Sequence, residues 1–333
     1  MAVLVTGGAG FIGSHTAVAL LERGEDIVIL DNFSNSKPEA AESIRRITGK
    51  DFKLYANDMQ SEAALDRVFE ENNIESVIHF AGFKAVGESC REPLKYYRNN
   101  ISGTLAVLEK MQEYGCKKFI FSSSATVYGD KNPVPFSEEY PVSDATNPYG
   151  TTKLMQETVL RDICKADSEF TAVLLRYFNP IGAHESALIG EEPEGIPNNI
   201  MPYITKVATG KLPVLNVFGC DYPTRDGSGV RDYIHVCDLA EGHIAALDYA
   251  RNNKGCEAFN LGTGKGVSVL ELIKAFEEAS GLKVPYRITE RRPGDIAECY
   301  ANPEKANRVL NWRAKRDLYR MCEDSARWAL KSK

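Results

Sequence analysis

None of the eight cysteines stands in a C-x-x-C pair. Nothing therefore suggests a zinc knuckle or a dithiol redox centre. In a chain of 333 residues, eight scattered cysteines fit free thiols in a reducing compartment. No apolar run approaches the roughly 18 residues needed to cross a bilayer. The opening residues, Met1 to Gly8, carry neither a basic segment nor a leader cleavage site. The expectation is a soluble, cytoplasmic protein with no membrane partner. Internal repeats and low-complexity tracts are also missing. Positive charge is in short supply: 40 Lys plus Arg face 46 Asp plus Glu, a net charge of −6. A nucleic-acid polymer demands a basic face, so that partner is not expected. A small anion is not excluded, because a few arginines and a helix N-terminus suffice for it.

What is present is ordinary globular composition, 43% hydrophobic and 26% charged, in a chain long enough for about two domains. Short apolar runs at 2–6, 26–30, 52–56, 76–81, 117–122 and 171–176 read as strands. They are apolar on both faces, as in a parallel sheet covered by helices. Helical patterns fall between them, near 12–23, 62–72, 95–114 and 148–165. This rhythm predicts an α/β fold with a doubly wound parallel Rossmann sheet. Beyond residue 180 the pattern changes. Residues 181–200 and 219–230 read as loops. A helix begins near Ser268, whose spacing to Glu271 is that of a capping box. The expected organisation is a dinucleotide-binding domain over 1–178 and a smaller α/β substrate lobe over 179–333, with some segments exchanged between them.

The first strand runs into Gly7, Gly10 and Gly13 in G-x-x-G-x-x-G spacing, followed by a helix. A tight turn, close backbone approach to a pyrophosphate and close helix–strand packing each favour a residue without Cβ. Asp31 ends the second strand, the usual distance further on. Its carboxylate can accept both hydroxyls of a ribose and would repel a 2′-phosphate, so NAD is expected over NADP. Asp58, after the third strand, reads either as an adenine contact or as a helix cap near Ser61. Phe80 and Ala81 end the fourth strand at the switch-point side of the sheet. Lys84 reads as a pyrophosphate contact or a solvated surface residue.

Tyr149 and Lys153 stand at i and i+4 on one face of a helix with Asn147 at the N-cap and Pro148 at N1. A free tyrosine has a pKa near ~10 and is a poor base. A cation about 4 Å away, at an effective dielectric near 20, is worth roughly 4 kcal/mol, or about three pKa units. The pair can then yield a phenolate that removes a hydroxyl proton. Ser124, closing the strand that ends in Ser122-Ser123-Ser124, can bond the same hydroxyl.

The order Gly7-Gly10-Gly13, Asp31, Ser124, Tyr149, Lys153 resembles the extended short-chain dehydrogenase/reductase family. Residues 76–89, 121–129, 175–183, 195–203 and 229–236 resemble its nucleotide-sugar 4-epimerases, and the likeness runs from Val3 to about Trp312. The resemblance implies an isomerase that interconverts UDP-galactose and UDP-glucose through transient oxidation at C4. Tyr149 would be the base, assisted by Ser124 and Lys153, and NAD would stay bound. It implies cofactor contacts at Gly7, Gly10, Phe11, Ile12, Gly13, Asp31, Asn32, Asn35, Ser36, Asp58, Met59, Phe80, Ala81, Lys84, Asn99, Ser122, Tyr149, Lys153, Tyr177 and Phe178. It implies substrate contacts at Ser124, Tyr149, Asn179, Asn199, Ile200, Asn216, Phe218, Arg231, Arg292, Asp295 and Cys299. Arginine's charged fork suits the diphosphate.

Cys299 stands where many relatives carry a bulkier Tyr. A smaller side chain there leaves room for an N-acetyl group, so UDP-GlcNAc and UDP-GalNAc become candidate substrates. Two other readings stay open. One is a nucleotide-sugar 4,6-dehydratase or decarboxylase, which Ala125 and Thr126 disfavour by replacing the required acid pair. The other is a non-catalytic NAD-binding sensor, which would have no use for Ser124, Tyr149 and Lys153. The helices at 95–114 and 148–165 suit a homodimer interface, as the family implies, or an intrachain core.

Overall fold

The computed structural model describes residues 1–193, 197, 199–292 and 295–331. The first half runs β1 (Ala2–Thr6), α1 (Phe11–Glu22), β2 (Asp26–Leu30), α2 (Glu39–Thr48), β3 (Lys53–Tyr55), α3 (Glu62–Glu70), β4 (Ile74–His79), α4 (Val86–Arg91), α5 (Pro93–Tyr96), α6 (Gly103–Glu113), β5 (Lys118–Ser122), α7 (Pro148–Ala166) and β6 (Thr171–Tyr177). The second half continues with β7 (Asn179–Ile181), α8 (Ile200–Ala208), β8 (Leu215–Phe218), β9 (Val230–His235), α9 (Val236–Asn252), β10 (Gly255–Leu261), β11 (Gly266–Ser268), α10 (Val269–Ser280), β12 (Tyr286–Thr289), β13 (Glu298–Cys299), α11 (Glu304–Val309) and α12 (Leu318–Lys331).

Among the described residues the large sheet has seven strands in the order β10-β6-β5-β4-β1-β2-β3. Every neighbouring pair in it is parallel. The strand order reverses between β1 and β4, which places a crevice at their C-terminal ends. Alternation along β1 explains the two-sided packing. Val3 and Val5 enter the core with Leu20, Leu239 and Leu247 of α1 and α9. Leu4 enters the opposite core with Leu65, Met111 and Leu160 of α3, α6 and α7. Each such side chain contributes about 1.5–3 kcal/mol by leaving water.

The doubly wound parallel sheet is present as expected. Several elements differ in detail. The fourth strand covers Ile74–His79 rather than 76–81, because its ladder with β1 ends where Thr6 meets His79 and β1 turns into the glycine loop. The helix expected over 95–114 contains a π-helical turn at Tyr97–Ser102. Inside that turn the Asn100 carbonyl accepts from Thr104 Oγ1 at 2.7 Å and from Gln156 Nε2 at 3.1 Å. Helices α2 and α9 go beyond the expected elements. Late in the chain β10 returns to the large sheet, where it pairs with β6 over its whole length.

The rest of the second half forms a small mixed sheet around β9. Its first residues pair with β13 and its last with β7, so Arg231 lies beside Cys299 and Tyr233 beside Asn179. A parallel pair, β8 with β12, sets Asn216 beside Arg287. The capping box at Ser268 forms with both of its bonds, and α10 ends on Gly281 at φ +70°. No helix among the described residues is long and apolar enough to cross a membrane.

Candidate active site

The glycine loop is shaped by what a side chain would strike. A Cβ on Gly13 would collide with the Gly7 carbonyl and lie 2.8 Å from Gly8 Cα. A Cβ on Gly7, which sits at φ +68°, would lie 2.8 Å from the Ala81 nitrogen. The loop thus brings β1, β4 and the start of α1 within backbone contact, as a pyrophosphate cradle requires. Gly10 caps α1 without a side-chain bond, and the first turn holds no acidic residue. Its N–H groups are left for an anion. Phe11 and Ile12 form that first turn.

Asp31 is buried and fixed by three donors: Ala9 N at 2.9 Å, Phe33 N at 2.9 Å and Ser36 Oγ at 2.8 Å. The carboxylate is thereby held at the C-terminal end of β2. Asn32 donates to Asp58 at 2.8 Å, and Asn35 is exposed on the same loop. Asp58 does not cap α3. That cap is Ser61, whose hydroxyl accepts from Ala64 N, while Asp58 accepts from Gln60 N at 2.8 Å. Met59 turns its side chain into the core against Gly103. Phe80 packs 4.6 Å from His243. Lys84 pairs with Glu191 at 3.0 Å, and Asn199 Nδ2 donates to the same oxygen at 2.6 Å. One carboxylate therefore joins a residue expected at the cofactor to one expected at the substrate. Asn99 donates to Asn100 at 3.0 Å within the π turn.

Helix α7 begins as its sequence dictates. Asn147 Oδ1 accepts from Gly150 N at 2.9 Å, and Pro148 takes the first position. Tyr149 and Lys153 follow on the face turned to the end of β5. Lys153 is buried, donates to the Ser122 carbonyl at 2.7 Å, and lies 4.7 Å from the Phe121 ring centre. Ser122 Oγ bonds Tyr177 OH. Ser124 is nearly buried and hydrogen-bonded to Tyr149.

The electrostatics differ from the expectation of a phenol acidified by a cation about 4 Å away. Burial pushes the Tyr149 phenol up to about 12, opposed by the Ser124 hydrogen bond. Burial also brings the Lys153 ammonium down to about 7, opposed by Glu157. Lys153 Nζ lies 6.0 Å from the Tyr149 ring centre and is turned toward the Ser122 carbonyl. Desolvation works against charge on both groups. The protein alone leaves the phenol neutral and the lysine only partly charged near neutral pH. A positive charge brought by a ligand would favour the phenolate.

On the substrate side, Arg292 forks onto Asp295 at 2.9 and 3.2 Å and stacks 4.9 Å over the Phe218 ring. Arg231 Nη2 lies 4.0 Å from the same carboxylate. Asn216 accepts from Arg287 at 2.8 Å. Cys299 packs with Phe178, Tyr128 and Ala301, and burial pushes its thiol up to about 11. It is an uncharged wall near neutral pH. Asn179 opens β7, and Ile200 opens α8. Arg231, Arg292, Asp295 and Phe218 thus converge, and Ser124, Tyr149 and Lys153 converge at the ends of β5 and α7.

Sequence reasoning missed three participants. Asn100 bonds Phe83 through both its amide atoms, at 2.8 and 3.0 Å, and donates to Thr152 Oγ1 at 3.0 Å. Glu157 and Arg176 form a buried ion pair, each side chain about 1% exposed. Breaking such a pair costs about 3–5 kcal/mol. Two of the three carried a signal: Glu157 stands four residues after Lys153, and Arg176 is the single charge in a largely apolar strand.

The site can be set beside known proteins. A family model described as GDP-mannose 4,6 dehydratase matches residues 4–325. The UDP-glucose 4-epimerase of Bacillus subtilis (strain 168) is 61% identical over 328 residues, covering 98% of this chain and 96% of that protein. The crystal structure of UDP-glucose 4-epimerase from Bifidobacterium longum, in complex with NAD+ and UDP, superposes with a TM-score of 0.97 at 55% identity, over 99% of this chain and 98% of that one. The UDP-Glc/GlcNAc 4-epimerase from Campylobacter jejuni superposes with a TM-score of 0.85 at 37% identity, over 99% of each chain.

Proposed function

The chain belongs to the UDP-glucose 4-epimerases of the extended short-chain dehydrogenase/reductase family, and from that premise we infer how its own residues carry the reaction. It interconverts UDP-galactose and UDP-glucose, with NAD as cofactor. One observation carries the assignment: 61% identity over nearly the whole of both chains. The dehydratase named by the family model would need an acid and a base where this chain has Ala125 and Thr126. An assay supplying UDP-galactose and detecting UDP-glucose tests the activity, and separates it from dehydration and from mere binding.

The residues around the cleft fit the dinucleotide. The Cβ-free cradle of Gly7 and Gly13, the uncapped start of α1 and the fixed Asp31 carboxylate suit its pyrophosphate and a ribose. When bound, NAD supplies reversible hydride acceptance at C4 of the hexose. Tyr149 takes the 4-hydroxyl proton as base. Ser124 bonds the same oxygen and Tyr149. Lys153 stabilises the phenolate and is held in place by the Ser122 carbonyl. The 4-keto sugar must then present its other face, so the hexose needs loose walls and the diphosphate a firm hold. Arg231 and Arg292 supply the firm hold on the diphosphate, with Asp295 at the ribose and Phe218 and Asn216 beside the uracil. Asn179, Asn199 and Ile200 border the sugar.

Cys299 supports a wider sugar pocket. UDP-GlcNAc and UDP-GalNAc are then substrates too, as the name of the Campylobacter jejuni relative states for a GlcNAc substrate of that protein. Cys299→Tyr is expected to lower kcat/KM for the N-acetylated pair at least about tenfold, the penalty of a small steric misfit. UDP-galactose turnover should stay within threefold. Equal activity of variant and parent on both pairs would remove the pocket argument.

A homodimer is part of the same reading. Leu94 on α5 is 82% exposed, Met155 on α7 43% and Leu105 on α6 38%. Large apolar side chains this exposed on neighbouring helices suit burial against a second copy. Sedimentation should give twice the 36.9 kDa chain mass, and Leu94→Glu with Met155→Glu should return it to a single mass. A wild-type monomer would dispose of the dimer.

A further inference from the structure

Three successive residues at the end of β5 are each tied to α7. The Ser122 carbonyl accepts from Lys153 Nζ at 2.7 Å. Ser123 Oγ donates to Glu157 Oε1 at 2.6 Å. The Ser124 hydroxyl bonds Tyr149. The middle tie is completely buried, and no step of the mechanism uses it. Its acceptor is unusually well held. Arg176 forks onto Glu157 from β6 at 2.9 and 2.6 Å, and Arg161 approaches at 3.5 Å. Arg176 also donates to Tyr128 OH at 3.1 Å, and Tyr128 donates to Asn260 of β10 at 2.7 Å. The clamp therefore spans α7, β5, β6 and β10.

We propose that Glu157, clamped by Arg176 and bonded by Ser123, is a positioning residue: it fixes the end of β5 from which Ser124 and the Ser122 carbonyl reach Tyr149 and Lys153, and it sets a negative charge one helical turn beneath the Lys153 ammonium. This rests on the roles given above to Tyr149, Ser124 and Lys153. A buried ion pair contributes little net stability compared with apolar residues filling the same space. Position and charge are what this one supplies and an apolar pair would not. Of the groups facing Lys153, Tyr149 on α7 and His79 on β4 are uncharged near neutral pH, since burial drives the phenol up to about 12 and the imidazole down to about 3. Phe121 is apolar, and Tyr177 on β6 is driven up by burial. Glu157 is the carboxylate that favours the charged lysine, and Arg176 reaches it from β6.

The test uses the NAD-loaded enzyme, with kcat and KM for UDP-galactose measured across pH. Ser123→Ala removes one bond to the carboxylate and leaves the ion pair whole. It should lower kcat about tenfold, the scale of one hydrogen bond to a charged group, with KM and NAD content within twofold. Glu157→Gln should lower kcat and move the alkaline limb of its pH profile acidward, because a lysine without its neighbouring anion loses its proton sooner. If Glu157→Gln does not fold, for want of a partner to Arg176, Ser123→Ala decides alone. Ser123→Ala with kcat within twofold of the parent overturns the proposal, whatever its melting temperature. So does a folded Glu157→Gln with an unmoved alkaline limb. Lys153→Met runs in parallel: if it keeps parental turnover, the catalytic reading itself has failed, and if it alone is inactive, only the positioning role has.

Discussion

Replacing Tyr149 by Phe should lower kcat for UDP-galactose about a thousandfold, within the range of losing one general acid–base group. That corresponds to about 4 kcal/mol of barrier. The substitution removes one oxygen, whose hydrogen-bond partner is Ser124. The ring that packs at the start of α7 remains, as do the Asn147 cap and Pro148. Folding should therefore be unaffected, with an unchanged far-ultraviolet spectrum and the same amount of nucleotide released on denaturation. Turnover within a few fold of the parent would mean that another group takes the 4-hydroxyl proton. The environment makes this a demanding test. A phenol driven up to about 12 by burial is a reluctant base until a cation joins it, so bound cofactor and base depend on one another.

The second large effect concerns that cofactor. Gly13→Ala should leave purified protein with at least about tenfold less NAD, and with activity reduced to match. The added carbon would meet the Gly7 carbonyl and Gly8 Cα, all backbone, so no side chain can swing aside. Relief requires the β1–α1 turn to open, and the pyrophosphate cradle opens with it. Gly10→Ala is the natural control. Its Cβ would lie 3.2 Å from the same carbonyl, tight but accommodated by a small shift, and most of the nucleotide should be retained. Full NAD content in Gly13→Ala would show that the loop is not the cradle.

What could be read in the sequence was local. The glycine spacing, Asp31, and the Asn147-Pro148 start of α7 each express a constraint within a few residues, and apolar runs announced the inner strands of the sheet. Asn100 was invisible because its role depends on Phe83 and Thr152, brought near only by the packing of α5, the π turn and α7. Arg176 reads as an oddity in an apolar strand, and its explanation lies on another element, at Glu157. The i, i+4 spacing of Tyr149 and Lys153 was plain, yet spacing cannot report that both groups are desolvated, and desolvation reverses the simple expectation of a lysine acidifying a tyrosine. The same limit hid β10, whose place beside β6 is a long-range pairing.

That pairing has a consequence for the order in which the molecule can be built. All seven residues of β6 are buried, and one of its two edges is covered only by β10. On the ribosome β6 emerges first, and β7, α8, β8, β9 and α9 must all be made before its neighbour arrives. At about 5–20 residues per second this is an interval of several seconds. Through it, a strand that is apolar but for Thr171 and Arg176 presents unpaired N–H and carbonyl groups to any other chain within reach. The arrangement that seats Asn260 against Tyr128 and Phe136 in the finished protein therefore makes the newborn one depend on being shielded until β10 has been made.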